Sequence, residues 1–296
     1  MKFKQIELSD REWMATYLKE SAFQGCEYAF GTLFIWQDVY KTEVAEYKGM
    51  LLFRSRTSYE KHYVNAFPAG AGDKRAAIEK LLECAKRDGQ KLYLRGFTIE
   101  NAVFLENQFP GKFQIESVRD EWDYLYLKED LAQLSGKKYH GKRNHIARFM
   151  DSQDWHYESM SRDNIDECRK MSKLWYERQK EAGNLEVLGE MPVLERCFDN
   201  FEILGFTGGV LYKGEEVVAF TIGEPLTKDT YVVHIEKAFS DIQGAYAMIN
   251  KQYVLHEMEQ YTYVNREEDE GVEGLRKAKE SYYPIKMVEK YIAREK

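Results

Sequence analysis

The sequence is short of several things, and each shortage excludes a class. Only five prolines occur in 296 residues, so no long stiff linker is expected. The four cysteines, Cys26, Cys84, Cys168 and Cys197, stand far apart with no Cys-x-x-Cys pair. That spacing excludes a disulfide framework and a zinc site, so no metal is expected, and isolated thiols fit a reducing cytoplasm. The first residues, MKFKQIELSDREW, contain no apolar core of a secretory signal. Apolar runs such as Leu33 to Trp36 are far too short to span a bilayer. Positive charge is in the minority: 43 Lys and Arg stand against 50 Asp and Glu, for a net charge of -7 and a pI of about 5.6. An acidic chain lacks general affinity for nucleic acid or anionic lipid, so any such contact needs a local basic patch.

What is present is an ordinary globular composition, 44% hydrophobic and 31% charged, long enough for two domains. In the first half, Phe3–Glu7 alternates like a strand, and Ser9 to Glu12 has the form of a capping box opening a helix. An aromatic segment (30–40) follows, then strands at 42–47, 50–56 and 61–66, with a turn at Lys48-Gly49. A helix from Asp73 to Asp88, a strand at 91–95, a helix at 98–107 and a strand region at 112–127 complete the half. The second half repeats that order: strand 155–159, helices 163–181 and 190–201, and strands 206–212, 216–223 and 230–238. It then continues with a helix at 245–259, a strand at 261–265, a helix at 272–281 and a last strand at 286–292. Repetition of element order near 150 residues points to duplication. The expected division is a scaffold domain at 1–134, a basic junction helix at 135–152 and a working domain at 153–296.

Three stretches sharpen the reading: KKYHGKRNHIARF (137–149), HIEKAFSDIQGAY (234–246) and NREEDEGVEGLRKAKESYYP (265–284). With the element order, they resemble an uncharacterised bacterial family grouped with the C-terminal domain of phosphatidylglycerol lysyltransferases. That family is similar to the Fem-type aminoacyl transferases. The resemblance implies an α/β fold of mixed sheets, built as two tandem GCN5-related N-acetyltransferase-like domains. In such a fold, strands four and five splay apart and the acyl carrier sits between them; here these are 230–238 and 261–265.

Period two puts His234 and Glu236 on one face of the fourth strand and Lys237 on the other. Glu236 is the candidate general base for an attacking amine, with a buried Glu–Lys or Glu–Arg pair as its structural alternative. The resemblance places a pyrophosphate-gripping loop at 239–245, with Gln243 and Gly244 at the helix start. Aligned on Gly244, Asp241 stands where Gln or Arg belongs and Tyr246 where a small residue belongs, which argues against coenzyme A. Arg266 is expected at the mouth of the fifth strand to hold a phosphate or carboxylate. Glu267 and Asp269 are expected to bind a cationic aminoacyl group, and Arg276 and Lys279 are lesser anion contacts. Ala278-x-x-x-Tyr282 matches a helix whose tyrosine protonates the leaving group, with Tyr283 as the fallback. Between the halves, Lys138, Lys142, Arg143 and His145 form the best polyanion patch, with Lys138, Lys142 and His145 on one helix face.

The leading expectation is aminoacyl transfer to an amine or hydroxyl of a lipid, a cell-wall precursor or a small molecule. The donor would be aminoacyl-tRNA, with no separate cofactor required. The expected partners are tRNA and an anionic lipid head group or nucleotide-linked precursor, which would bring a cytoplasmic protein to the inner membrane face. The alternatives are a coenzyme A-dependent N-acyltransferase and a non-catalytic ligand-binding protein.

Overall fold

The structure, a computed structural model, describes residues 1–56, 62–151 and 154–296. Lys61, expected to open a strand, and Ser152, expected to end the junction helix, lie outside the described residues. The first part of the chain runs β1 (Lys4–Gln5), α1 (Arg11–Ser21), α2 (Phe30–Tyr40), β2 (Glu43–Tyr47), β3 (Met50–Ser55), β4 (Val64–Ala66), α3 (Lys74–Arg87), β5 (Tyr93–Phe97), α4 (Ile99–Gln108), β6 (Phe113–Ser117) and β7 (Asp123–Leu127). It continues through α5 (Lys128–Gln133), α6 (His140–Met150), β8 (Trp155–Ser159), α7 (Ile165–Glu181), α8 (Met191–Leu204), β9 (Thr207–Lys213), β10 (Glu216–Pro225), β11 (Thr230–Ala238), α9 (Ala245–Glu257), β12 (Tyr263–Asn265), α10 (Glu273–Glu280), β13 (Lys286–Val288) and β14 (Tyr291–Glu295).

Local chemistry sets many of these limits. The Asp73 carboxylate accepts the Ala76 amide and opens α3, and Thr98 does the same for α4 through Asn101. The β2–β3 turn uses Lys48 and Gly49, both at positive φ, as a tight hairpin turn demands. The first capping box sits two residues earlier than expected. Glu7 and Asp10, rather than Ser9 and Glu12, satisfy each other's amides in a short 3-10 turn before α1.

Among the described residues two seven-stranded sheets form, in the orders β1-β2-β3-β4-β5-β14-β6 and β13-β7-β12-β11-β10-β9-β8. Strand for strand these are the same order, with the penultimate position filled by a strand from the other half of the chain. The single last strand expected at 286–292 is therefore two: β13 joins the second sheet, and β14 pairs with β5 and β6 in the first. The compact units follow this exchange and not the sequential boundaries at 134 and 153. Unit 1 comprises Met1–Tyr124, Glu267–Lys277 and Met287–Lys296, and unit 2 comprises Leu125–Arg266 and Ala278–Lys286. The physical reason is backbone pairing: β14 finds its ladder between β5 and β6, so the C-terminal residues leave the second half.

In unit 1, the apolar face of α3 (Ala77, Ile78, Leu81) packs with Met50, Leu52, Leu94 and Phe97 of the sheet. In unit 2, β10 is buried along nearly its whole length, because α7 and α9 both pack on it. Two features of unit 2 position the site. The parallel β11–β12 ladder covers only Thr230–Val232 against Tyr263–Asn265, so among the described residues the rest of β11 runs on without a strand partner on that side. A bulge between Ile222 and Gly223 leaves His234 as the extra residue of β11 and breaks its two-residue alternation.

Candidate functional site

Four of the sequence-expected residues converge where β11 and β12 part. Glu236 Oε1 accepts from Arg266 Nη2 at 2.8 Å, and its Oε2 accepts from Asn250 Nδ2 of α9 at 3.1 Å. The Glu236 and Arg266 side chains are only 13% and 12% exposed. The Arg266 guanidinium lies 4.8 Å from the Tyr282 ring centroid, and Lys142 Nζ of α6 lies 3.8 Å from the same ring. Burial, and then the neighbouring Arg266 charge, push Lys142 down to about 8 against the pull of Glu236. Burial raises the Tyr282 phenol well above its ordinary value, so it stays a neutral O–H at any physiological pH. Asn250 is the member that the sequence reading missed: an amide inside a helix carries no motif, and only packing aims it at Glu236.

The other expected residues are spread. The bulge sends His234 to Glu224, at 3.0 Å, and against the Phe206 ring. It does not join Glu236, which corrects the shared face read from period two. Lys237 faces α7, where its Nζ meets Glu190 at 2.5 Å and lies over Trp175. Gln243 is exposed. Gly244, at φ 89, caps α9, and a Cβ there would collide with the His145 carbonyl oxygen and crowd Phe149. The start of α9 is thus covered by α6. Asp241 is paired with Arg178 at 2.9 Å.

The basic patch is also divided. Lys138 lies before α6 and pairs with Asp130 at 3.2 Å. Lys142 turns toward Tyr282, while His145 is exposed. Arg143 donates to the carbonyls of Leu134 and Gly136 at 2.6 and 2.7 Å, closing the end of α5. Of the expected common face, Lys142 and His145 stand three residues apart on α6, while Lys138 lies in the 3-10 turn before it. Lys279 donates to the Arg266 carbonyl at 2.6 Å, a structural role, and Tyr283 packs on Tyr139.

Glu267, Asp269 and Arg276 belong to unit 1. Asp269 is fully buried and receives Arg276 through two bonds, at 2.9 and 2.7 Å, together with the Tyr124 hydroxyl at 2.5 Å. It anchors the loop rather than offering a carboxylate to solvent. Its neighbours Glu267 and Glu270 take left-handed backbone, φ 57 and 50, an unfavourable conformation for a glutamate. With Glu268 they line a cavity of about 210 Å³ in unit 1, beside Val64 and Ala66 of β4 and Arg95 and Gly96 of β5. Leu33, Trp36, Tyr40 and Phe53 form its apolar wall. Burial, then Glu270 and Glu268, raise the Tyr40 phenol.

At one side of this cavity Lys290, only 3% exposed, holds Asp123 at 2.7 Å and Glu27 at 2.8 Å. Burial pulls its pKa down, yet Asp123, Cys26 and Glu27 more than offset this and hold it well above the ordinary lysine value. Cys26, Glu27 and Asp123 bring a thiol and two carboxylates within 4.8 Å of one another, a set that could hold a metal ion, and Lys290 Nζ already lies among them. Sequence reading missed this group because its members are spread from Cys26 to Lys290.

Two equivalent mixed sheets, each with a parallel pair at strands four and five, set the chain beside known folds. A family model described as phosphatidylglycerol lysyltransferase, C-terminal, matches residues 18–294. The chain belongs to that family. A conserved protein of unknown function from Bacteroides thetaiotaomicron is 38% identical, with a TM-score of 0.94 over 100% of both chains. L-PGS from Bacillus licheniformis shares the fold at 18% identity and a TM-score of 0.66, covering 97% of this chain and 92% of that one. A tandem GNAT protein from the clavulanic acid biosynthesis pathway shares it at 9% identity and a TM-score of 0.51, covering 99% and 98%. Among curated proteins nothing matches. The fold is the tandem acetyltransferase-like α/β fold, and membership sets the chain, at a coarse level, among acyl and aminoacyl transferases. Among the described residues, no helix is long and apolar enough to cross a membrane.

Proposed function

We propose that the chain transfers an aminoacyl group from aminoacyl-tRNA to an amine or hydroxyl acceptor on a lipid, a cell-wall precursor or a small molecule. The convergence of Glu236, Arg266, Lys142 and Tyr282 at the parting of β11 and β12 carries this reading. In the transfer, the acceptor nitrogen or oxygen attacks the ester carbonyl, the bond to the carrier oxygen breaks, and a proton passes to that oxygen. Glu236, with both oxygens engaged, orients the acceptor through Asn250 and Arg266. Tyr282, a neutral phenol, donates toward the leaving oxygen. The covered start of α9 and the Arg178–Asp241 pair favour such a donor over coenzyme A. The test supplies labelled lysyl-tRNA and phosphatidylglycerol vesicles. Label should move to the lipid and be lost in Tyr282→Phe. No transfer to this or any offered amine would refute the reading.

A second reading is favoured by the cavity of unit 1: it binds an amine-bearing ligand. Five lining glutamates (27, 121, 267, 268 and 270) face three lining cations (Arg54, Arg95 and Lys290), beside Trp36 and Tyr40. An ammonium suits that charge balance and the aromatic wall. Lysine amide should bind by calorimetry and its Nα,Nε-diacetyl form should not; equal binding of the two would sink this reading.

A further inference from the structure

The unit 2 cluster is electrostatically unfinished. Arg266 and Lys142 are two cations beside one carboxylate, Glu236, and both stand against the same tyrosine ring. Arg266 uses Nη2 for Glu236, whereas its Nη1 is buried with no hydrogen-bond partner among the described residues. Lys142 Nζ makes a ring contact and is partly exposed, which keeps the place reachable from solvent. Asn250 spends its amide N–H on Glu236, and its Oδ1 is also buried without a partner. Buried polar atoms are nearly always bonded, and leaving one unmade is costly. One buried donor and one buried acceptor without a protein partner, with the Lys142 ammonium beside them, leave polar groups of this cluster able to contact a ligand.

We propose that Arg266 Nη1 and Lys142 Nζ together bind a phosphate group, one oxygen to each, with Asn250 Oδ1 accepting from a hydroxyl or amine carried beside it. This rests on the reading of the same cluster as the working site of a transferase. An anion supplies the charge that Glu236 alone does not balance. Phosphate fits better than carboxylate because the two donors come from different side chains, and a tetrahedral group offers diverging oxygens to both. A carboxylate is matched by the two-pronged edge of a single guanidinium, and half of that fork is already given to Glu236.

The charged and titratable groups facing Lys142 are Arg266, Glu236 and Tyr282. Tyr282 stays neutral over the range that matters. Only protonated Lys142 can complete the site. With Lys142 titrating at about 8, affinity should be about tenfold weaker at pH 9 than at pH 7. Dimethyl phosphate is the probe, since it remains a monoanion throughout. The whole chain is pulsed with trace acetic anhydride across a dimethyl phosphate titration, and acetylation of each lysine is read by mass spectrometry. Lys142 should be progressively protected, more so at pH 7, while exposed Lys173 is unchanged. Arg266→Met should abolish the protection. Should that variant misfold, thermal stabilisation by the probe should persist in Lys142→Arg and vanish in Lys142→Met. Unchanged Lys142 labelling across the titration, or stabilisation that survives Lys142→Met, overturns the proposal. Protection without any acyl transfer would defeat the transferase reading and leave the phosphate site standing; transfer without protection would do the reverse.

Discussion

Replacing Lys290 with methionine tests the buried charge group of unit 1 most directly. The ammonium is held by Asp123, whose side chain is fully buried, and by Glu27. Methionine roughly keeps the stem volume but leaves the Asp123 carboxylate in the interior with the Cys26 amide, at 2.8 Å, as a remaining donor. Breaking a buried pair in this one-sided way costs about 3–5 kcal/mol. Spread over an unfolding entropy of roughly 0.6 kcal/mol/K for a chain of this length, that is a fall of about 5–8 °C in Tm. If unit 1 melts separately, its own transition moves roughly twice as far. Calorimetry at pH 7 supplies the number, with the double variant Asp123→Asn/Lys290→Met as the control. Removing both charges should bring stability back toward that of the parent. The sign with pH is also fixed. An unpaired buried carboxylate binds its proton more tightly in the folded state, so the deficit of Lys290→Met should shrink as the pH is lowered. A loss below about 1 kcal/mol, or a double variant worse than the single, would refute the buried-pair reasoning.

Asp269 carries a pH dependence of the same sign at a second buried carboxylate. The Arg276 bonds, against the cost of burial and with Tyr124 and the Gly271 amide, hold its carboxyl well below the usual range. Its contribution is therefore complete above the unfolded carboxyl value near 3.9 and is lost as the pH falls below it. Urea midpoints of Asp269→Asn should be lower than the parent's at pH 6, with the gap narrowing toward pH 2. Gly244→Ala puts a Cβ on the His145 carbonyl in a left-handed backbone, and a loss of about 2–4 kcal/mol in urea titration is expected. Gly214→Ala, also at positive φ but with only the Asp154 carboxylate at 3.3 Å, should cost about 1 kcal/mol. Equal losses at the two glycines would show that the close approach of α6 contributes nothing.

Much of the fold was legible. The helices expected at 73–88 and 163–181 are α3 and α7, to within two residues, and the expected limits of β11 are the observed ones. Glu236 stands out as a charge in a central strand, Arg266 by its place at the mouth of the next one, and Tyr282 by the Ala-x-x-x-Tyr resemblance, and the fold brings the three together. Less legible was anything that depended on which strand lies beside which. His234 left its expected face because a bulge in the β10–β11 ladder shifted the register. Arg143 looked like an open basic residue, but two carbonyls at the end of α5 claimed it. Glu267 and Asp269 were read as part of the second domain's cleft, yet they line and anchor unit 1.

The sequence by itself determined the element order and its duplication, because caps, turns and periodicity are written in neighbouring residues. Only the tertiary structure decided that each sheet borrows a strand from the other half of the chain, β7 in one direction and β14 in the other. It alone gathered Cys26, Asp123 and Lys290, and set Lys142 and Asn250 around the Glu236–Arg266 pair. Those decisions rest on backbone ladders and buried charges between residues far apart in the chain. Such pairings leave no local pattern to read, since each is fixed by the cost of leaving a buried N–H or charge without a partner.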